Sequence, residues 1–197
     1  PTMTQPMFDF SQAANAMLEN MVSTQRRVIH GFEAMTSTLD TSVGATEIEE
    51  VFKVDRVRLV RFKPVKAKLF KTPVLIVYAL VNRPYMMDLQ EDRSIVKKLL
   101  EAGLDVYLID WGYPRRMDRF LTLEDYIDGY INDMVNHLRK SHGVEGINLL
   151  GVCQGGTFST IYTALYPRKV KNLVTMVAPF DFGHSDGLLN VWSRALD

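Results

Sequence analysis

Four short, largely apolar runs, at 74–80, 106–110, 146–152 and 170–178, restrict what this chain can become more than any other feature of it. A strand with one wet face alternates apolar and polar residues, and a run such as Val74-Leu75-Ile76-Val77-Tyr78-Ala79-Leu80 does not. Both of its faces must be covered. The intervening segments 94–102, 123–141 and 155–166 read as helices; Gly103 suits the C-cap of the first, and Pro167 ends the last. Strands alternating with helices predict an α/β domain, a mostly parallel sheet with helices on both faces. Ahead of it, 50–54 and 56–62 alternate apolar and charged residues, as an antiparallel strand pair with one wet face does. Residues 8–39 carry Phe10, Ala14, Met17, Met21, Val28, Phe32 and Met35 at three- and four-residue steps, which predicts an N-terminal helix, with a linker at 40–45. Its methionine-rich stripe suits packing on its own domain, or alternatively a partner surface.

The third apolar run leads straight into Gly151-Val152-Cys153-Gln154-Gly155-Gly156-Thr157, a G-x-C-x-G pattern between a strand and a helix. A nucleophile presented on so sharp a turn needs small residues two before and two after it, because side chains there would strike the turn. Gly151 and Gly155 meet that need. The helix that begins after Cys153 points unpaired N–H groups and its positive dipole end at the sulfur, which favours negative charge there. Acyl transfer through Cys153 is the chemistry this implies. The plain alternative, a cysteine that only fills space, leaves both flanking glycines unexplained.

Composition narrows the function further. The chain has 197 residues, 47% of them hydrophobic, enough for one domain with a sizeable core. Twenty-three basic side chains balance 23 acidic ones, so neither nucleic acid nor an anionic membrane is indicated as a partner. A single cysteine can form neither an internal disulfide nor a thiolate metal site, and it fits a cytoplasmic setting. No apolar stretch reaches the roughly 18 residues of a spanning helix, and no signal-peptide pattern opens the chain.

Four blocks then resemble the catalytic subunit of the polyhydroxyalkanoate synthases, of the class III type that works with a second subunit. They are Val77-Tyr78-Ala79-Leu80-Val81-Asn82-Arg83-Pro84-Tyr85-Met86, Asp105-Val106-Tyr107-Leu108-Ile109-Asp110-Trp111-Gly112-Tyr113-Pro114, the run from Asn148 to Gly156, and Asn172-Leu173-Val174-Thr175-Met176-Val177-Ala178-Pro179-Phe180-Asp181-Phe182. The resemblance implies an α/β-hydrolase-like fold, incomplete at its C-terminal side: an N-terminal helical segment at 1–45, a partial core at 46–180 and the start of a lid at 181–197. It implies polymerisation of (R)-3-hydroxyacyl-CoA through an acyl-Cys153, with release of CoA and without a cofactor or metal. Its partners would be the CoA thioester, the growing polyester, a second subunit, further copies of itself and the surface of a cytoplasmic polymer granule. A thioesterase or polyester hydrolase of the same fold is the alternative within enzymes. A non-catalytic fragment or partner-binding module is the alternative outside them.

For an oxyanion hole the fold uses backbone N–H groups, here those of Gln154 and Val81, with Leu80 or Asn82 as alternatives to Val81 and no role for the side chains. Substrate contacts are assigned to Asn82, Arg83, Asp110 and Trp111. Asp110 and Trp111 serve equally as a buried turn, Arg83 as a surface ion pair, and Arg115, Arg116 and Arg119 as a solvated loop. The catalytic aspartate and histidine of such enzymes follow later strands and are not expected in this chain. Asp181 fits a structural turn or a lid anchor, and the pair Asp181 and His184 is not expected to stand in for the missing partners. His30, His137 and His142 read as packing or surface residues. With its next neighbour missing, the strand at 170–178 should expose an apolar edge, an aggregation hazard for the isolated chain.

Overall fold

The structure, a computed structural model, describes residues 43–81, 83–181 and 187. The helix expected over 8–39, His30, Asn82, His184 and most of the segment 181–197 lie outside the described residues. The chain enters as a hairpin of β1 (Ile48–Val54) and β2 (Val57–Phe62), followed by β3 (Val74–Val77) and a small hairpin of β4 (Asp88–Gln90) and β5 (Arg93–Ser94). Helix α1 (Ile95–Glu101), capped by the Ser94 hydroxyl accepting from Lys97 N–H, leads to β6 (Val106–Asp110). Gly103 follows α1 with a φ of +89°, as its C-cap role requires. A π-helical turn (Asp125–Ile131) runs directly into α2 (Asn132–His142), and β7 (Ile147–Val152), α3 (Gln154–Leu165) and β8 (Val170–Met176) complete the described elements. No helix among the described residues is long and apolar enough to cross a membrane.

Six strands form one sheet in the order β1-β2-β6-β3-β7-β8, and the last four of that order run parallel. Strand alternation sorts the core into two layers. Leu59, Leu75, Val77, Tyr107, Ile109, Ile147 and Leu149 pack on the face that also buries Met134, Leu138, Phe158 and Tyr162 of α2 and α3. Val60, Phe62, Val74, Ile76, Val106, Leu108, Leu150 and Val152 pack with Val96 and Leu100 of α1 on the other face. Each fully buried Leu or Ile contributes about 1.5–3 kcal/mol relative to exposure.

One expectation is corrected by this topology. The antiparallel pair is present and β1 is largely exposed, but β2 has no wet face: it pairs antiparallel with β6 inside the sheet and carries apolar residues on both sides, Leu59 on one and Val60 and Phe62 on the other. Its two arginines are accommodated by carboxylates: Arg58 pairs with Asp110, and Arg61 grips Asp105 at 2.8 and 3.0 Å. The strand expected over 170–178 stops at Met176, where Val177 turns away with a φ of +46°. Among the described residues β8 is a sheet edge, and Val174, Met176 and Val177 are exposed on it.

Candidate active site

Register brings the site together. Val77 at the end of β3 pairs with Gly151 of β7, so the loops that follow these two strands leave the sheet side by side. At the second of them Cys153 has a φ of +54° and a ψ of −128°, a conformation that costs an L residue about 1–3 kcal/mol and persists only where its surroundings impose it. They do so here. Cys153 N–H donates to Met176 O at 2.9 Å, and Gly156 N–H donates to Cys153 O at 2.8 Å. A Cβ on Gly155 would lie 2.0 Å from Val77 O, and one on Gly151 would lie 2.6 Å from Gly156 Cα. The pattern G-x-C-x-G thus describes a turn in which α3 rests directly on the end of β3. Gly156, which the spacing argument passed over, is equally constrained: a Cβ there would meet Ala178 Cβ at 2.4 Å. The doubled glycine was its only local signal.

The thiol of Cys153 is exposed at the head of α3. Among the described residues the N–H groups of Gln154 and Val81 donate to no protein acceptor. Leu80 N–H is already engaged, donating to Gln154 Oε1 at 3.1 Å. The Gln154 side chain, to which the oxyanion scheme gives no role, thus has a structural partner. Beneath the loop, buried Tyr78 has its phenol pushed up, chiefly by burial and further by the nearby Cys153 sulfur.

The remaining expected residues divide sharply. Trp111 is buried, and its indole N–H donates to Tyr78 O at 3.0 Å. Asp110 pairs with Arg58 and accepts from Gly112 N–H at 3.0 Å. Both side chains are thus engaged in holding the end of β6. Arg83 stacks over the Tyr113 ring at 3.9 Å, joining the loops after β3 and β6, while Arg115 and Arg116 are exposed. Sequence reasoning overlooked Arg56, whose guanidinium holds this second loop at Trp111 O (3.1 Å) and Asp118 (2.6 Å) and ties it to Tyr126 Oη (3.1 Å) of the π-helical turn. His137 stacks on Phe52, and His142 meets Tyr107 Oη at 3.0 Å, at the opposite end of the sheet from Cys153. Asp181 is exposed beyond β8. No group of three or more His, Cys, Asp or Glu among the described residues is arranged to hold a metal.

Comparison with known proteins agrees with this geometry. Residues 72–192 match the family model of the alpha/beta hydrolase fold, and residues 7–99 match that of the poly-beta-hydroxybutyrate polymerase (PhaC) N-terminus. The poly(3-hydroxyalkanoate) polymerase subunit PhaC of Allochromatium vinosum is 48% identical over 193 residues, which are 97% of this chain and 54% of that protein. The chain belongs to the α/β-hydrolase fold family. Another such polymerase subunit, from Synechocystis, is 61% identical over 151 residues, 77% of this chain and 40% of its own length. The chain spans about half the length of the curated polymerases it matches. Among solved structures, a thioesterase domain from the curacin biosynthetic pathway superposes with a TM-score of 0.54 at 14% identity, covering 78% of this chain and 52% of that one. A bacterial membrane phospholipase A does so with a TM-score of 0.54 at 16% identity, covering 96% and 58%. At such identities these two show the shared fold alone.

Proposed function

We propose that this chain carries the nucleophile of an enzyme that polymerises (R)-3-hydroxyacyl-CoA into polyhydroxyalkanoate through a covalent acyl-Cys153, releasing CoA. One observation carries the reading: an exposed thiol held at the strained elbow, with the amides of Gln154 at the head of α3 and of Val81 after β3 unclaimed among the described residues. The deprotonated Cys153 sulfur attacks the thioester carbonyl carbon, and the oxygen takes up negative charge that those two N–H groups stabilise. Collapse breaks the bond to the CoA sulfur, which leaves as a thiolate and takes up a proton. Exchange of one thioester for another is nearly thermoneutral, so the acyl group stays activated. The hydroxyl of a growing chain then attacks the acyl carbon, gives its proton to a base, and displaces the cysteine sulfur as an ester forms.

That base is assigned to an aspartate and histidine pair in the part of the relatives that this chain does not span, because partners in this fold follow the nucleophile in the order acid, then histidine. The thioester supplies the driving force, and the reaction uses no cofactor. A class III arrangement adds a second subunit and further copies of the chain, working in the cytoplasm at the granule surface. The similarity to polymerase subunits supports these assignments. The test is to incubate the full-length protein with 3-hydroxybutyryl-CoA. Polymer with stoichiometric CoA is the expected product, and Cys153→Ala lowers CoA release by at least about 10³-fold. Free 3-hydroxybutyrate with CoA would make the enzyme a hydrolase, and undiminished turnover by the variant would remove the sulfur from the mechanism.

A further inference from the structure

The Gln154 carboxamide does something the oxyanion scheme does not ask of it. Its Oε1 accepts from Leu80 N–H at 3.1 Å, across 74 positions of sequence. Leu80 N–H belongs to the peptide unit just before the one that presents Val81 N–H, so this bond limits how the next amide can turn. The surrounding backbone is fixed by other means. Gly155 sits on Val77 and Tyr78 without room for a Cβ, Thr157 Oγ1 donates to Pro179 O at 2.7 Å, and Tyr78 O accepts from buried Trp111. Ala79 is buried and Leu80 packs, partly buried, against the core, and beyond Leu80 the loop leaves this packing. Val81 is 87% exposed, so its own side chain does little to orient its peptide.

We propose that the Gln154 side chain is a positioning residue, bracing the loop after β3 so that the Val81 amide keeps its direction relative to the Gln154 amide. One residue then supplies one oxyanion donor through its backbone and sets the other through its side chain. The inference rests on the acyl-transfer reading of Cys153. Losing an oxyanion donor outright costs about 10²–10³-fold in kcat. A donor left in place but unbraced loses part of that, so a fall of about 10- to 100-fold in acylation is expected.

The experiment compares Gln154→Met and Gln154→Ala with the unaltered full-length enzyme in two reactions at the same sulfur. Acylation is followed by CoA release from 3-hydroxybutyryl-CoA, and alkylation of Cys153 by iodoacetamide is followed by mass spectrometry of its peptide. Alkylation needs the thiol but builds no oxyanion. The expected result is a 10- to 100-fold slower acylation in both variants, with KM and the alkylation rate within about two-fold of the unaltered enzyme. Acylation at the unaltered rate in either variant overturns the proposal. So does an equal fall in both reactions, or failure of both variants to fold, since either makes the contact a support of the elbow itself. If the unaltered enzyme forms no acyl-Cys153 at all, the functional reading has failed; if it does and the variants match it, only the bracing role has.

Discussion

The two ends of the central sheet hold comparable polar groups and use them in opposite ways. At the amino end of the parallel strands Asp105, 3% exposed, binds Arg61 through both oxygens and accepts from Tyr107 Oη at 3.3 Å, while Tyr107 also meets His142. Each group there answers another. At the carboxyl end Cys153 is exposed in a strained backbone conformation, and the two nearby amides have no protein acceptor among the described residues. A saturated network of buried polar groups stabilises a fold, because leaving any one of them unpaired costs about 1–3 kcal/mol. Groups left without a protein partner on a strained elbow do the reverse: they give up stability and remain available to a reacting molecule. The difference separates support from chemistry within one sheet.

The contrast can be broken most severely at Gly155. A methyl group there would overlap Val77 O, so Gly155→Ala in the full-length enzyme is expected to cost about 3 kcal/mol or more and to abolish acylation, read from the urea midpoint and from CoA release. A fully active, stable Gly155→Ala enzyme would mean that α3 does not sit on β3 as described. A smaller effect is expected from Asp105→Asn, which weakens the grip on Arg61 while keeping the shape: stability falls by about 1–3 kcal/mol, and kcat stays within two-fold. If kcat collapsed while stability held, the two ends of the sheet would not be separable in this way.

The mildest test uses pH. Burial pushes the His142 imidazole below its ordinary value near 6.5, with Asp105 partly opposing. The folded protein therefore favours the neutral ring, and this contribution is fully present above about pH 6.5 and lost as pH falls through the depressed value. The melting temperature should drop on going from pH 7.5 to 5.5, and His142→Gln should drop less steeply. Equal slopes for the two proteins would remove His142 from the network.

Much of this was legible in the chain. The apolar runs at 74–80, 106–110 and 146–152 announced strands covered on both faces, and the G-x-C-x-G spacing announced the elbow, because both follow from sterics acting over a few residues. Strand β8, from the fourth run, is mostly exposed. The antiparallel pair was legible too, but not the burial of β2, because the pattern in 56–62 is the same whether Arg58 and Arg61 face water or the carboxylates of Asp110 and Asp105. Nothing near Arg56 in sequence signals that it holds Trp111, Tyr126 and Asp118.

The chain by itself determined the alternation of strand and helix, the reach of each buried run and the glycines that a cysteine on a tight turn demands. Tertiary structure alone decided that β3 lies beside β7, that Leu80 N–H meets Gln154 Oε1, and that Asp105 finds Arg61 while the Gln154 and Val81 amides find no acceptor among the described residues. Local patterns record the sterics and burial of neighbours, whereas these contacts join residues dozens of positions apart and exist only once strand order has placed them together.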